Sequence, residues 1–446
     1  MTQLRFDFSK AVRPIKAMNA VNNGPVGSKE HGVKGNFDDY AAARIPYARN
    51  HDASYFIGYG GEHAVDVHRI FKNFDADEND PSSYIFEPTD RCVLDTFEAG
   101  TKVFYRLGAS IEHGYKYGTR APKDPHKWAR ICEHIIRHYT EGWANGYELD
   151  IEYWEIWNEP DCLSPDGSSP CWQGTPEQFK ELFFVTAKHL KERFPHLKIG
   201  GPAICNLWGE LDRLIPKFIE HGIKLDFYSF HWYGCDVHSF LETIKKGREQ
   251  ANKYFGEQAE TILNEYNYVS GWSREEMRKS VQIEQGLKGA AFNAALMAAA
   301  QSSGMLDMLM YYDARPFSMN GMFAPMTLEK LKTYYTISSF SHLLDLGTQV
   351  EGESADGIYS VAASDMKGNG ALLLSHYDNN DDTAKKEVRL VFNGFNDKVK
   401  ATFYLLDEKH DMQVVREEIF EATQTAICVS MPVFTTYLIK FEAIKD

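Results

Sequence analysis

Cysteine is sparse in this 446-residue chain, and nothing in its arrangement indicates a disulfide framework. The seven cysteines are odd in number and scattered, which is typical of reduced thiols and favours a cytoplasmic location. Cys162 and Cys171 flank a loop that is rich in Ser, Pro and Gly. These two thiols would be able to pair if the protein were exported.

Long apolar runs are missing as well. No stretch of about 18 apolar residues occurs, so we expect no membrane-spanning helix. Charged residues such as Arg5, Asp7 and Lys10 interrupt the start of the chain, and we therefore expect no signal peptide. The formal net charge is −15, and this acidic balance argues against nucleic acid and anionic membranes as partners.

The usual signatures of metal and cofactor sites are also absent. The sequence has no HExxH, no paired CxxC, no P-loop and no GxGxxG after a predicted strand. We therefore expect no metal ion and no organic cofactor. The length allows two or three domains.

From about residue 13 to 325, apolar runs typical of β-strands alternate with helical stretches such as Trp128–Tyr139 and Glu177–Arg193. Such alternation indicates a parallel sheet, and eight strands indicate a (β/α)8 barrel of the TIM type. The segment of about residues 20–63 is predicted to be a long loop at the functional face. The predicted strands are Ile15–Asn19, Ala64–Phe71, Lys102–Leu107, Tyr153–Asn158, Lys198–Gly201, Phe227–Trp232, Thr261–Glu265 and Met308–Tyr312.

After a last predicted helix near Leu328–Leu346, the hydrophobic period changes to two residues. Short alternating runs separated by Asn, Asp and Gly clusters predict an antiparallel β-sandwich. The run Leu4–Phe8 alternates in the same way and is predicted to add a strand to it. We therefore predict a barrel domain over residues 10–345 and a β-sandwich domain over residues 346–446 together with residues 1–9.

Two Asn-Glu pairs, Asn158-Glu159 and Asn264-Glu265, each end a predicted barrel strand. Barrels of this type place their active sites at the C-terminal ends of the strands. Cleavage of a glycosidic bond needs two carboxyl groups, one as the proton donor and the other as the nucleophile or base. We predict that Glu159 and Glu265 are these catalytic residues.

Glu155 shares a strand face with Glu159. Because a buried carboxylate needs a partner, we predict an ion pair between Glu155 and Arg106 at the end of the third predicted strand. Polar donors such as His231 and Tyr233 would keep Glu265 ionised, whereas dry aromatic surroundings would raise the pKa of Glu159. Other side chains predicted to contact substrate lie at or just after predicted strand ends: His68, Arg106, Trp172, Trp232 and Tyr312.

Three motifs resemble those of the retaining glycoside hydrolases of clan A, and most closely those of family 39, which contains β-xylosidases and α-L-iduronidases. They are Glu155-Ile156-Trp157-Asn158-Glu159-Pro160, Phe230-His231-Trp232-Tyr233 and Leu263-Asn264-Glu265. The resemblance covers nearly the whole chain and implies a barrel followed by a sandwich.

The resemblance implies that Glu159 is the acid/base and Glu265 the nucleophile. It also implies that Asn158 contacts the sugar 2-hydroxyl and that His231 and Tyr233 line the reacting subsite, with Tyr233 in contact with Glu265. His68 would take the histidine position of the second strand. Family members often have Arg two residues before that histidine, whereas this sequence has Asp66 there, followed by Arg69 after the histidine.

The sequence thus predicts a retaining exo-glycosidase that acts on a β-xyloside or a related oligosaccharide. We find no cluster of basic residues that would recognise a uronate. A homo-oligomer is compatible with the sequence. Two alternatives stay open, namely an endo-acting glycanase of the same clan and a catalytically silent carbohydrate-binding protein on the same fold.

Overall fold

The computed structural model describes residues 1–27, 35–53, 63–111, 118–164, 166–316, 319, 321–421 and 425–444. Parts of the predicted 20–63 loop therefore lie outside the described residues. Eight strands form a closed barrel and nine form a second sheet. None of the helices in the described ranges is long and apolar enough to cross a bilayer.

The first strand belongs to the second sheet, the next eight form the barrel, and the last eight complete the second sheet. The strands are β1 (Thr2–Pro14), β2 (Ala17–Asn22), β3 (Tyr47–Arg49), β4 (Lys102–Leu107), β5 (Tyr153–Ile156), β6 (Lys198–Ile204), β7 (Phe227–Gly234), β8 (Glu260–Tyr268), β9 (Met308–Tyr311), β10 (Thr348–Gly352), β11 (Ile358–Ser364), β12 (Gly370–His376), β13 (Lys386–Asn393), β14 (Val399–Leu406), β15 (Asp411–Phe420), β16 (Thr425–Met431) and β17 (Thr436–Ala443).

Helices follow most barrel strands and cover the outside of the barrel, as the alternating sequence pattern predicts. They are α1 (Phe37–Ala42), α2 (Val67–Ile70), α3 (Glu87–Glu98), α4 (Pro125–Thr140), α5 (Pro176–Arg193), α6 (Val237–Tyr254), α7 (Arg274–Glu284), α8 (Leu287–Ser303) and α9 (Lys332–Leu346).

The helix ends follow from the local sequence. Pro125 begins α4, and Asp124 caps it by accepting hydrogen bonds from two backbone N–H groups of the first turn. Thr175 and Gln178 form a capping box at the start of α5. The Ala-rich helix α8 is buried on nearly all sides because it contacts both barrel strands and the second sheet.

The second barrel strand is not the predicted one. Residues 64–71 form a turn followed by α2, and the strand is Tyr47–Arg49, which pairs with β2 and β4. The alternation Val65-Asp66-Val67 imitates a strand, but Val67 and Ile70 are buried at a helical spacing. A strand of three residues is too short to show a period of its own. The segment predicted to be a loop therefore contains both this strand and α1.

The second sheet has the order β15-β14-β17-β12-β11-β10-β1-β13-β16 and is antiparallel except where β1 pairs with β13. Phe392 on β13 and Phe441 on β17 are far apart in this order, yet their ring centroids lie 5.0 Å apart. The sheet therefore folds over onto itself around a shared apolar core, which confirms the predicted sandwich. Strand β1 extends beyond residue 9 to Pro14, and the division into domains at residues 9 and 345 stays a prediction.

Candidate active site

The backbone after β5 turns sharply and directs Glu159 into the mouth of the barrel. Trp157 and Glu159 have φ angles of 75° and 46°, which lie in the left-handed region that side chains other than glycine rarely occupy. The Glu159 N–H donates to the carbonyl oxygen of Ala203 at 3.0 Å, which ties this turn to β6. Such strained residues concentrate at functional sites, where the surrounding structure holds them in place.

A register shift between β7 and β8 brings His231 opposite Glu265. The Nδ1 atom of His231 lies 2.7 Å from a carboxyl oxygen of Glu159 and 3.4 Å from one of Glu265. One side-chain nitrogen or oxygen atom from each of these three residues lies within 4.8 Å of the other two. The structure thus brings both predicted carboxyl groups to one point at the C-terminal face of the barrel.

Arg49, on the strand that was not recognised in the sequence, lies at the centre of this arrangement. Its guanidinium is fully buried and donates to Glu155 at 2.6 Å, to Glu265 at 2.7 Å and to the Asn158 side-chain oxygen at 2.7 Å. A planar guanidinium presents its donors in a fixed fork. It therefore fixes the orientation of all three acceptors at once.

The predicted ion pair between Arg106 and Glu155 is wrong. Arg106 instead donates to Asp66 at 2.6 Å and to the Nδ1 atom of His51 at 3.2 Å. The partner of Glu155 is Arg49, because the short strand β3 lies between β2 and β4, where residues 64–71 were predicted to lie, and its arginine is buried inside the barrel. Arg106 contacts His51, which in turn lies near Glu265.

The prediction for His68 depended on a strand that does not exist. His68 lies on α2, beside Gly118. His51 follows β3, and its Nε2 atom lies 3.5 Å from a carboxyl oxygen of Glu265. Arg49 precedes His51 by two residues. The Arg-x-His spacing that the family resemblance implies is thus present at residues 49–51 and not at residues 66–68. This spacing is the sequence signal that would have located β3.

Of the other predicted side chains, Tyr233 contacts a carboxyl group directly, Tyr312 lies beside Tyr233, and Trp232 packs on a neighbouring tryptophan. The Tyr233 hydroxyl donates to Glu265 at 2.8 Å, as the resemblance implies. The Tyr312 hydroxyl donates to Asp52 at 2.8 Å, and the Tyr233 and Tyr312 rings lie 6.3 Å apart. Trp232 packs on the exposed Trp208, with 5.3 Å between the centroids.

Trp172 has a packing role in addition to facing a cavity. Its ring lies edge-on to that of Trp157 at 5.0 Å, and its indole N–H donates to the Thr175 carbonyl oxygen. It also lines a cavity of about 760 Å³ beside the loop that follows Glu159, together with Pro160, Asp161 and Leu211. A cavity of this volume is large enough for a small organic ligand.

The two carboxyl groups have different electrostatic surroundings. Burial raises the pKa of Glu159 well above its usual value, and the nearby Cys162 and Asp161 raise it further. Burial also raises the pKa of Glu265, but Arg49 and the hydrogen bond from Tyr233 oppose that rise. Glu159 therefore retains its proton more readily than Glu265 does.

Comparison with known proteins agrees with this geometry. A sequence model of glycosyl hydrolases family 39 matches residues 66–323, which is more than half of the chain. The chain belongs to this family. The family 39 prediction from the sequence motifs is thereby confirmed, and so is the barrel fold.

Curated relatives match over part of the chain. A β-xylosidase from Caldicellulosiruptor saccharolyticus is 26% identical over 193 residues, which are 40% of this chain and 37% of that protein. A β-xylosidase from Geobacillus stearothermophilus is 29% identical over 180 residues, 37% of this chain and 33% of that protein. The chain thus matches about a third of the length of these relatives.

A solved structure extends the likeness over the whole chain. A glucosidase from Croceicoccus marinus has a TM-score of 0.80 at 19% identity and is covered over 100% of both chains. At this identity the likeness shows the fold of the family 39 chain and not its substrate.

Arg49→Leu should destabilise the protein by about 3–5 kcal/mol near neutral pH, because it leaves buried carboxylates without their cation. The loss should be smaller in acid. Without Arg49 the folded-state pKa of Glu265, already raised by burial, rises further above its value in the unfolded chain. The folded protein then binds a proton that the unfolded chain has lost, so the free energy of unfolding falls as pH increases toward the folded-state pKa. Urea denaturation midpoints near pH 5 and near pH 8 measure both effects.

Two controls separate the buried charge from general effects of substitution. Arg49→Lys should lose less stability than Arg49→Leu, because it retains a cation. Arg389→Leu, at an exposed position on β13, should change stability by no more than about 0.5 kcal/mol. A loss for Arg49→Leu that does not depend on pH would contradict the proposed pairing with Glu265.

Proposed function

We propose that the protein is a retaining glycoside hydrolase that removes β-linked xylose or a related sugar from the end of an oligosaccharide. The observation that carries the proposal is the pair of carboxyl groups at the barrel mouth, whose oxygens approach within 4.8 Å. Retaining enzymes separate their carboxyl groups by about 5–5.5 Å and inverting enzymes by about 6.5–9.5 Å. The spacing of Glu159 and Glu265 supports the retaining class.

In the first step Glu265 attacks the anomeric carbon while Glu159 protonates the departing glycosidic oxygen. A bond forms between the Glu265 carboxylate and the sugar, and the bond to the leaving group breaks. In the second step Glu159 takes a proton from water, whose oxygen attacks the anomeric carbon and releases Glu265. Two displacements return the sugar to its original configuration.

The surroundings of the carboxyl groups suit this cycle. The two groups oppose each other's ionisation, so one proton shared between them stays on Glu159, whose pKa is raised further above its usual value. Once Glu265 is esterified it no longer bears a charge, and the pKa of Glu159 falls. The same residue then serves as the base of the second step.

The β-xyloside preference has its support in the sequence relatives, which are β-xylosidases. The Arg49-x-His51 spacing removes the departure that argued against this assignment. A uronate substrate has less support, because Arg315 at the barrel rim already donates to Asp313 at 2.8 Å and to the carbonyl oxygen of Asp52. A cytoplasmic location, a homo-oligomer and the absence of nucleic-acid or membrane partners stay predictions.

Product analysis distinguishes terminal from internal cleavage. With a β-1,4-xylotetraose labelled at its reducing end, terminal removal should release unlabelled xylose and a labelled trimer at early times. The products are separated by chromatography in samples taken below about 10% conversion, where initial rates apply. A labelled dimer as the first product would favour the endo-acting alternative, and binding without any cleavage would favour the silent carbohydrate-binding alternative.

Substitution of each carboxyl group should reveal its role through the anomer that azide forms. With an activated aryl β-glycoside, Glu159→Gln still forms the glycosyl-enzyme, and azide should release it as the β-glycosyl azide. Glu265→Gly lacks the nucleophile, so azide should attack the substrate directly and form the α-glycosyl azide. Glu159→Gln should also lose far more activity on poor leaving groups than on activated ones, and NMR of the products assigns the anomers.

A matched control lies on the same strand as the nucleophile. Glu260 at the opposite end of β8 pairs with Lys198, and Glu260→Gln should retain activity on every substrate. The same azide anomer from both site variants, or equal losses of Glu159→Gln on all leaving groups, would show that the roles are wrongly assigned.

The dependence of kcat/KM on pH should be bell-shaped. Activity falls as pH decreases because Glu265 becomes protonated, and it falls as pH increases because Glu159 loses its proton. Burial raises the pKa of both groups, and the pKa of Glu159 is raised further with the nearby Cys162 and Asp161 contributing, so both limbs should lie above the ordinary glutamate value of about 4.3. Glu159→Gln with an activated substrate should retain the acid limb and lose the alkaline limb; an unchanged alkaline limb would exclude Glu159 as its source.

A further inference from the structure

Three cysteines that are scattered in the sequence converge on the Glu159 carboxyl group. Cys162 and Cys171 lie in the loop after β5, and Cys205 directly follows β6. A carboxyl oxygen of Glu159 and the Sγ atoms of Cys162 and Cys205 all lie within 4.8 Å of one another. The Sγ atom of Cys171 lies 3.7 Å from the Oε2 atom of Glu159. Glu159 is therefore bordered by His231 on one side and by thiols on the other.

The backbone holds this thiol cluster (Cys162, Cys171 and Cys205) in place independently of the sulfur atoms. The Asp161 carboxylate accepts hydrogen bonds from the backbone N–H groups of Cys205 at 3.1 Å and Asn206 at 2.7 Å. The Cys162 N–H donates to the carbonyl oxygen of Glu159 at 3.1 Å. Asp161 thus joins the two loops, and the same contacts set the distance between their thiols.

We propose that Cys162, Cys205 and Glu159 form a binding site for a thiophilic divalent cation of the Zn²⁺ class, with Cys171 as the fourth donor. Zn²⁺ prefers four ligands in a tetrahedron, and Zn–S bonds of about 2.3 Å place sulfur ligands about 3.8 Å apart. Donor atoms of Glu159, Cys162 and Cys205 lie within 4.8 Å of one another, and the Cys171 Sγ atom lies 3.7 Å from Glu159, so rotations of side chains would bring the donors to that geometry. Sulfur ligands select Zn²⁺ over Mg²⁺ or Ca²⁺.

The composition of the site favours a cation over a disulfide. A disulfide would join two of the three thiols and would leave Glu159 uninvolved, and it would need an oxidant. A divalent cation uses all the converging donors, and it is attracted by the Asp161 carboxylate, which lies between the two loops. Cys162 and Cys205 are partly exposed, which gives an ion access from solvent.

Metal binding at this site would be coupled to protons and to catalysis. A thiol binds a metal ion only as a thiolate, so binding must release protons, and affinity should fall as the pH falls. If Glu159 is the acid of the proposed function, a bound cation withdraws it from the reaction. The inhibitory effect rests on the proposed function, whereas the binding itself does not.

Cobalt absorption spectroscopy tests the binding without reference to activity. The reduced full-length protein is titrated with Co²⁺, which should bind at one equivalent with a thiolate-to-cobalt charge-transfer band, and Zn²⁺ should displace it. Cys162→Ser and Cys205→Ser should each weaken binding by about 10-fold or more. Cys428→Ser, which removes an exposed thiol of the sandwich, should bind like the parent. Circular dichroism confirms that each variant is folded.

The proposal is overturned if no charge-transfer band forms at one equivalent, or if both serine variants bind Co²⁺ like the parent. Co²⁺ binding that persists in both serine variants without a charge-transfer band would place the ion at Glu159, His231 and Glu265 instead. Zn²⁺ should also inhibit glycoside hydrolysis, a chelator should reverse this inhibition, and the serine variants should need about 10-fold more Zn²⁺. Binding without hydrolysis of any glycoside would refute the proposed function alone, and hydrolysis without binding would refute the metal site alone.

Discussion

The site depends on one buried cation. Arg49 lies within the barrel with no exposed surface and contacts Glu155, Asn158 and Glu265, which come from opposite sides of the barrel. Removing either the cation or its acceptors from a dry interior costs several kcal/mol. The same contacts that orient Glu265 therefore also join β3, β5 and β8 across the barrel interior. The geometry of the carboxyl pair and the integrity of the barrel depend on the same guanidinium.

This cation also makes the two carboxyl groups chemically unequal. Its direct hydrogen bond goes to Glu265, while Glu159 lies against thiols and a histidine whose own pKa is lowered by burial. A neutral His231 can bridge the two carboxyl groups without stabilising both as anions. A positive charge on one side of a pair of carboxyl groups separates their pKa values. One group can then act as an acid and the other as a base.

Most of the architecture was predictable from the sequence because long apolar strands and helices with clear caps have strong periodic signals. Glu159 and Glu265 were predictable because each follows an apolar run and a conspicuous Asn. Strand β3 was missed because three residues show no period, and Arg49 and His51 were missed with it. The thiol cluster was invisible because only the folded barrel brings the end of β6 beside the loop after β5. Short strands and contacts between loops are set by tertiary packing, which no local pattern reports.

The parallel pairing of β1 with β13 has a consequence for the order in which the chain assembles. Thr2 pairs with Val388, and β1 lies between β10 and β13 in the sheet. At about 5–20 residues per second, a ribosome needs roughly 20–80 s to proceed from one strand to the other. Until β10 and then β13 emerge, the apolar side chains of Leu4, Phe6 and Phe8 have no partner strand, although the whole barrel has been made by then. The nascent chain thus carries an unpaired, aggregation-prone strand while the barrel is synthesised, and chaperone capture of β1 would suit this topology.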